Sequence, residues 1–436
     1  MSNYYDKLPD CLNINDEGKL CLEGIPCDMV ANHCGTPSYV YSYKQIINNI
    51  EKMKAAFSRG LEGDWDIYYA YKGNASPAIC KIIYEKGIKA EVMSLGELHQ
   101  AITLGIKPKD IIFNGVVKTS EELEYSIKYG IGHIIIDSES ESEKIQEISA
   151  HHNKITDVAF RVKPGITTGF HPHVETGHLD SKFGLTDELV IQEINKSKGM
   201  PNINFIGLQC HIGSQITDVT PYIEEADYIF SLSKRIHKEL GVCTKVIDLG
   251  GGFGIQDDEQ KRKYFPFDQY TNELNSLVKK YFDSPPLLCF EPSRAIVADS
   301  SIILSKAVSL KKDAGYSFVG CDAGYSTFVR PMLYGAYHDI RNVTDPTPEI
   351  NELSEIVGPI CETGDVIGKQ RRVGNIETGT VLAILDTGSY GYAQSSIYNG
   401  RPRPREYLIH EGNIFLIRDH DSLSDLMGKY ILPPIY

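Results

Sequence analysis

Four short stretches carry residue types able to do chemistry: DIYYAYK ending in Lys72, CHIGSQ with His211 and Ser214, DLGGGFG with Gly250, Gly251 and Gly252, and EPSR with Glu291 and Arg294. Lys72 follows a run of aromatic and apolar side chains. A lysine there is either solvated or a partly desolvated amine, whose lowered pKa suits Schiff-base chemistry. Consecutive glycines let backbone N–H groups converge on an anion such as phosphate, although such a run alone is equally a tight turn. A glutamate closing a buried apolar strand is costly unless a cation or a donor meets it, and a protonated pyridine nitrogen is such a donor. His211 is either a satisfied core histidine or a ring on which a planar ligand stacks. A lysine, a stacking histidine, a phosphate nest and a buried carboxylate together describe a seat for pyridoxal 5′-phosphate (PLP), the electron sink for chemistry at an amino-acid Cα.

Such groups need a scaffold that brings distant strand ends together. Eight short apolar runs alternate with helical patterns: IYYAYK (67–72), KAEVMS (89–94), DIIFNG (110–115), HIIIDS (133–138), DVAFRV (157–162), NFIGLQCHIG (204–213), KVIDLGGG (245–252) and PLLCFEP (286–292). Segments such as PAICKIIYEKG and TPYIEEADYIFSLSKRIHKELG between them have helical periodicity. The pattern predicts an α/β fold, a (β/α)8 TIM-like barrel over residues 39–298, in which reactive groups cluster at the C-terminal ends of the strands. A doubly wound sheet is the rival, but the G-x-G-x-x-G fingerprint is missing. After residue 300 the texture changes to strand-like stretches such as SIILSKAVSLKK, TVLAILDTG and REYLIHEG. They predict a separate mainly-β domain over 299–436, a β-barrel or sandwich, joined by the N-terminal segment 1–38 through LNINDEGKLCLEG.

At 436 residues the chain has room for two full cores. A net charge of −14 with dispersed Lys and Arg argues against nucleic acid or an anionic membrane as partner. No apolar run reaches membrane-spanning length and the N-terminus does not read as a signal peptide, so the cytoplasm is the default setting. The ten cysteines form no C-x-x-C pair and have no histidines at zinc-ligand spacing, so they read as reduced packing residues and no metal site is expected.

Seven blocks in order, YYAYKGN, CHIGSQI, DLGGGFG, EPSR, RPMLYGAYHDI, GPICETGD and SSIYNGRPRP, span roughly residues 35 to 415. This series resembles that of the fold-type III PLP-dependent decarboxylases, most closely the diaminopimelate decarboxylase family. The resemblance implies that Lys72 carries the cofactor covalently, His211 stacks on its ring and Glu291 keeps the pyridine nitrogen protonated. Ser214, Gly250, Gly251, Gly252, Arg294 and the hydroxyl of Tyr390 would hold the phosphate. Cys361 would return a proton to Cα, an act within the reach of a thiol. The resemblance also implies that Cys361 and its neighbours reach the cofactor of a partner subunit, making a homodimer the working assembly.

Arg294, Arg330, Tyr334, Glu362 and Tyr390 match positions that grip the substrate. Paired arginines suit a distal carboxylate and a glutamate suits an ammonium, so the implied reaction is decarboxylation of meso-diaminopimelate to L-lysine and CO2. Two readings stand beside it: the same fold acting on D-lysine, D-ornithine or a secondary-metabolite precursor, and a catalytically silent relative that binds a partner protein. Tyr71, Ser293, Thr363 and Ile397 depart from the family pattern and are expected to sit beside the cofactor or the substrate's distal arm.

Overall fold

The computed structural model describes residues 8–166, 181–257, 262–348 and 352–434. It divides into two compact units, one formed by residues 49–255 and 263–295 and the other by the remaining described residues.

The first unit is a closed barrel of eight parallel strands: β1 (Trp65–Ala70), β2 (Lys89–Val92), β3 (Ile111–Phe113), β4 (His133–Ile136), β5 (Thr156–Arg161), β6 (Ile203–Gln209), β7 (Val246–Asp248) and β8 (Leu287–Phe290). It closes where β8 pairs with β1, Leu288 opposite Trp65. All eight apolar runs become strands, each ending before its run does because the last residues turn out of the ladder into the loops. The helices between them end on local signals. Helix α1 (Pro77–Glu85) has proline in its first turn, where no N–H is needed. Helix α2 (Ser120–Tyr129) opens on a Thr119–Glu122 capping box and closes on left-handed Gly130.

Period-2 alternation sorts the strand residues into layers inside the barrel. Tyr68, Ile112, Val246 and Cys289 form one apolar cluster with Ile206 and Leu287. Moving toward the C-terminal ends, the next inward positions are Glu91, Asn114, Arg161, Gln209, Asp248 and Glu291, all buried. The barrel thus has an apolar plug below and a polar layer above.

The second unit is built on the long strand Ser301–Asp313, which pairs antiparallel with Ser38–Ser42, Tyr316–Cys321 and Val381–Ile384. Ser38–Ser42 also pairs parallel with Arg405–His410. The three short strands Leu12–Ile14, Leu20–Leu22 and Ile25–Pro26 form their own sheet. Leu12, Leu20 and Leu22 share a core with Ile302, Leu304, Ala383 and Ile409.

Two expected boundaries move. A barrel starting at residue 39 would cut the strand Ser38–Ser42, whose two sheet partners both lie in the β unit. Arg262, expected within the barrel, belongs to the β unit as well. Its guanidinium makes a bidentate pair with Asp386, at 2.9 and 2.7 Å, with both side chains nearly buried.

Candidate active site

The residues expected to hold a cofactor in the barrel unit stand at the ends of β1, β6, β7 and β8. Lys72 lies in the single 3-10 turn Tyr71–Gly73 that follows β1. Alternation sends Lys72 inward with Ala70 and turns Tyr71 outward. Tyr71 is buried, its ring tilts against that of Tyr69 at 6.0 Å, and its hydroxyl lies beside the Cys80 thiol of α1. It is a packing residue between strand and helix, which corrects the expectation that it sits beside the ligand. Ser293 is buried between Glu291 and Arg294 in the chain, and Thr363 and Ile397 are exposed in the β unit.

The three glycines after β7 are each required by close approach. A Cβ on Gly250 would lie 2.6 Å from the Cys210 carbonyl oxygen, on Gly251 2.1 Å from that of Glu291, and on Gly252 2.0 Å from that of Gly213. Gly250 and Gly252 also hold φ of +60° and +95°. The cradle is braced from behind, where the Tyr222 hydroxyl donates to the Gly251 carbonyl at 3.1 Å and its ring stacks on Phe253 at 4.9 Å. Beside the cradle, Arg294 Nη2 donates to Ser214 Oγ at 3.0 Å. Backbone N–H groups, a hydroxyl and a guanidinium are thereby gathered at the ends of β6, β7 and β8, a donor set suited to a phosphate.

His211 Nδ1 accepts the Gly251 N–H at 3.3 Å, leaving its proton on Nε2. Burial, and then the charges of Lys72 and Arg161, hold the ring well below the usual histidine range, so it is a neutral face. Glu291 accepts from Asn114 Nδ2 at 2.9 and 3.2 Å and from Gln209 Nε2 at 3.1 Å. Burial raises its pKa, and the cations Lys72 and Arg161 pull it back. A buried carboxylate with amide donors on its flanks is the partner that a pyridinium N–H needs. The glycine cradle and this carboxylate fit PLP.

Arg161 is set by a further network. Its guanidinium lies 4.6 Å from the Phe183 ring centroid, and its Nε lies 3.9 Å from Asp137. Lys118 and Glu141 form a fully buried pair nearby at 2.9 Å. Sequence reasoning missed Glu91, Asn114, Arg161, Gln209 and Asp248, yet all but Glu91 are polar residues at the end of an apolar strand run, as in VAFR, IIFN and IGLQ. That position was the available signal.

The β unit carries the remaining predicted residues. Arg330 is buried and its guanidinium faces the rings of Tyr334 and Tyr390 at 5.6 and 5.9 Å. His338 takes the Arg330 Nε–H on Nε2 at 3.4 Å while its Nδ1 meets the Leu385 carbonyl at 2.9 Å, which fixes both side chains. Cys361 and Glu362 are exposed on the turn between Ser354–Val357 and Val366–Arg371. That turn is organised by buried Asp365, which accepts the N–H groups of Tyr325 at 2.7 Å and Ile360 at 3.0 Å. Asp365 closes the GPICETGD block, and its structural role becomes visible only in the fold.

Comparison with known proteins agrees with this geometry. Residues 43–298 match the family model described as "Pyridoxal-dependent decarboxylase, pyridoxal binding domain". A diaminopimelate decarboxylase from Archaeoglobus fulgidus is 36% identical, over 96% of this chain and 98% of its own. The crystal structure of diaminopimelate decarboxylase from Methanocaldococcus jannaschii superposes with a TM-score of 0.92 at 35% identity, covering 98% of this chain and 99% of that one. The same enzyme in complex with L-lysine gives 0.91, with the same coverage and identity. With the seven motif blocks in order, the closed barrel and the glycine cradle, these matches establish that the chain belongs to the pyridoxal-dependent decarboxylases, in the diaminopimelate decarboxylase family.

Proposed function

We propose that this protein releases one carboxylate of meso-diaminopimelate as CO2 and returns a proton to the same carbon, giving L-lysine. The product keeps an L centre, so the carboxylate lost is that of the D centre. The observation that carries the reading is the pairing of the glycine cradle with Glu291, a buried carboxylate flanked by amide donors. The choice of substrate is supported by relatives that match nearly the whole chain and by the L-lysine held by the M. jannaschii enzyme.

Lys72 would hold the cofactor through its amine, and neutral His211 would cover one face of the ring. Glu291 would keep the proton on the ring nitrogen, while Ser214, Arg294 and the Gly250–Gly252 turn hold the phosphate, with the Tyr390 hydroxyl joining them. When bound, the cofactor supplies a sink for the electron pair left behind as CO2 departs. Cys361 would then deliver its Sγ proton to Cα. Arg330 would take the distal carboxylate and Glu362 the distal ammonium, with Tyr334 beside them.

Cys361 and Glu362 are exposed on the single chain, which supports their acting in the site of a partner subunit within a homodimer. All ten cysteines are free thiols, in keeping with a reducing cytoplasmic setting. Among the described residues no helix is long and apolar enough to cross a membrane.

The test is CO2 release by the PLP-loaded protein from meso-diaminopimelate, beside D-lysine, D-ornithine, L-lysine, L-ornithine and L-arginine, with chiral analysis of the product. Strong preference for meso-diaminopimelate with L-lysine as product is the expected result. Turnover of one of the others in its place would overturn the substrate, and no CO2 from any of them would overturn the decarboxylase reading.

A further inference from the structure

Asp248 closes β7 with its side chain fully buried. Its Oδ1 accepts the Gly250 N–H at 2.8 Å, the bond that holds the first glycine of the cradle in its left-handed turn. Its Oδ2 is buried with no donor among the described residues, and its carboxyl adjoins that of Glu291 at the ends of the paired strands β7 and β8. Two adjoining buried carboxyls are held together only by a proton between them.

The donor count says which of the two holds it. Glu291 receives amide N–H groups from Asn114 and Gln209 on its oxygens, the pattern of an ionised acceptor. Asp248 receives one N–H, on one oxygen only. Glu91, the third carboxyl of this layer, takes the Asn114 Nδ2–H on Oε1 at 3.0 Å while its Oε2 is likewise buried without a partner among the described residues, which makes it the competitor for the proton. The cations facing the group are Lys72 and Arg161, and half-buried Glu97 and buried Glu225 add two further carboxyls to their field, so carboxyls outnumber cations even when a pyridinium joins them. At least one of these carboxyls is neutral in a charge-balanced layer.

We infer that Asp248 is a positioning residue that keeps a proton and donates it to Glu291, so that one side chain ties the carboxylate facing the ring nitrogen to the first glycine of the phosphate cradle. Burial, and next the charge of Glu291, push Asp248 well above the ordinary range, which is the direction this arrangement needs. The two ends of the cofactor seat then share a polar link, and loosening one end moves the other. The inference rests on the proposed role of Glu291 and adds a residue to it.

The experiment uses the full-length protein loaded with PLP. Infrared difference spectra of wild type against Asp248→Asn, and of wild type against Glu91→Gln, report which side chain owns the protonated-carboxyl band. The band is expected to disappear in D248N and persist in E91Q; the reverse would place the proton on Glu91 and overturn the inference. Both substitutions are isosteric, so this comparison stands even where a truncated side chain fails to fold.

PLP titration supplies the second readout. An asparagine can accept from Gly250 and donate to Glu291, so D248N should bind PLP within about threefold of wild type, whereas Asp248→Ala should bind at least about tenfold more weakly, the scale of one lost charge-assisted hydrogen bond. The Glu291→Gln control separates the two claims. If E291Q binds PLP as wild type does and keeps the wild-type absorption spectrum, the role given to Glu291 fails. If E291Q weakens binding but D248A does not, only the link through Asp248 fails.

Discussion

The barrel mouth and the Cys361 turn carry chemistry in opposite physical states. In the mouth, Glu91, Asn114, Gln209, Asp248 and Glu291 are buried, with amide and backbone donors shared among the carboxyls, and burial is the leading cause of every pKa shift there. On the turn, Cys361 and Glu362 are exposed, and the organising residue is Asp365 behind them. The contrast teaches that the barrel is preorganised by its own fold, whereas the turn leaves a thiol and a carboxylate in solvent, so the roles proposed for them call for another surface to desolvate them. Substitutions in the two regions should therefore fail in different ways.

The largest effect is expected at Lys72. Lys72→Ala should lower CO2 release by at least about a thousandfold, the scale of losing a covalent catalyst, and should abolish the visible absorption of the loaded protein. Its thermal midpoint without cofactor should fall somewhat, because Lys72 is one of the cations facing buried Glu91 and Glu291, yet the protein should remain folded. A variant that retains both absorption and turnover would show that the barrel mouth is not the reacting centre.

Next comes Cys361→Ala, which should cost roughly a hundredfold in turnover, within the range of a lost general acid, while leaving PLP absorption unchanged. Mixing K72A with C361A protein after dissociation and reassociation sharpens the contrast. If the turn works in a partner's barrel, random reassembly should restore about one quarter of wild-type activity, since half the dimers carry one intact site of two. No recovery on mixing would place Cys361 and Lys72 of the same chain in one site.

Arg330→Ala should act on binding more than on chemistry. Loss of a charge-assisted pair to the distal carboxylate predicts a KM for meso-diaminopimelate raised by roughly 10- to 100-fold with kcat far less affected. An unchanged KM would remove Arg330 from the distal grip and leave it as a structural partner of Tyr334, Tyr390 and His338.

How much of this was legible in the sequence follows the same divide. The barrel could be read because each strand is an apolar run bounded by a helix of clear period, and because Gly250 to Gly252 have no other way to fit. The motif residues Lys72, His211 and Glu291 could be read from type and position. The polar layer around them was not, since Asn114, Gln209 and Asp248 become partners only when eight strand ends converge, and pairings across the barrel leave no trace in local spacing. Tyr71 shows the same limit in reverse: it neighbours Lys72 in the chain, yet strand alternation puts it on the other face. In the β unit, Ser38–Ser42 lies far in sequence from both strands it pairs with, so its membership could not be seen from periodicity.

The smallest expected effect concerns stability and tests whether burial governs the barrel mouth. Glu225 is fully buried next to Cys210, which immediately precedes His211. Burial pushes its carboxyl up to about 8, with the adjoining Cys210 thiol opposing the rise and the charge of Glu291 adding to it. An acid whose folded pKa lies above its unfolded value binds its proton more tightly in the folded state. The folded protein thus has its full stability below about 4.5 and loses it progressively as pH rises toward about 8. Glu225→Gln removes the titration and keeps the shape. Its urea midpoint, relative to wild type, should climb between pH 5 and pH 8, with a gain on the order of 1–2 kcal/mol at the upper end once relaxation around the charge is allowed for. A difference that stays constant across that window would mean Glu225 is already ionised, and that water reaches further beneath the histidine than the packed barrel implies.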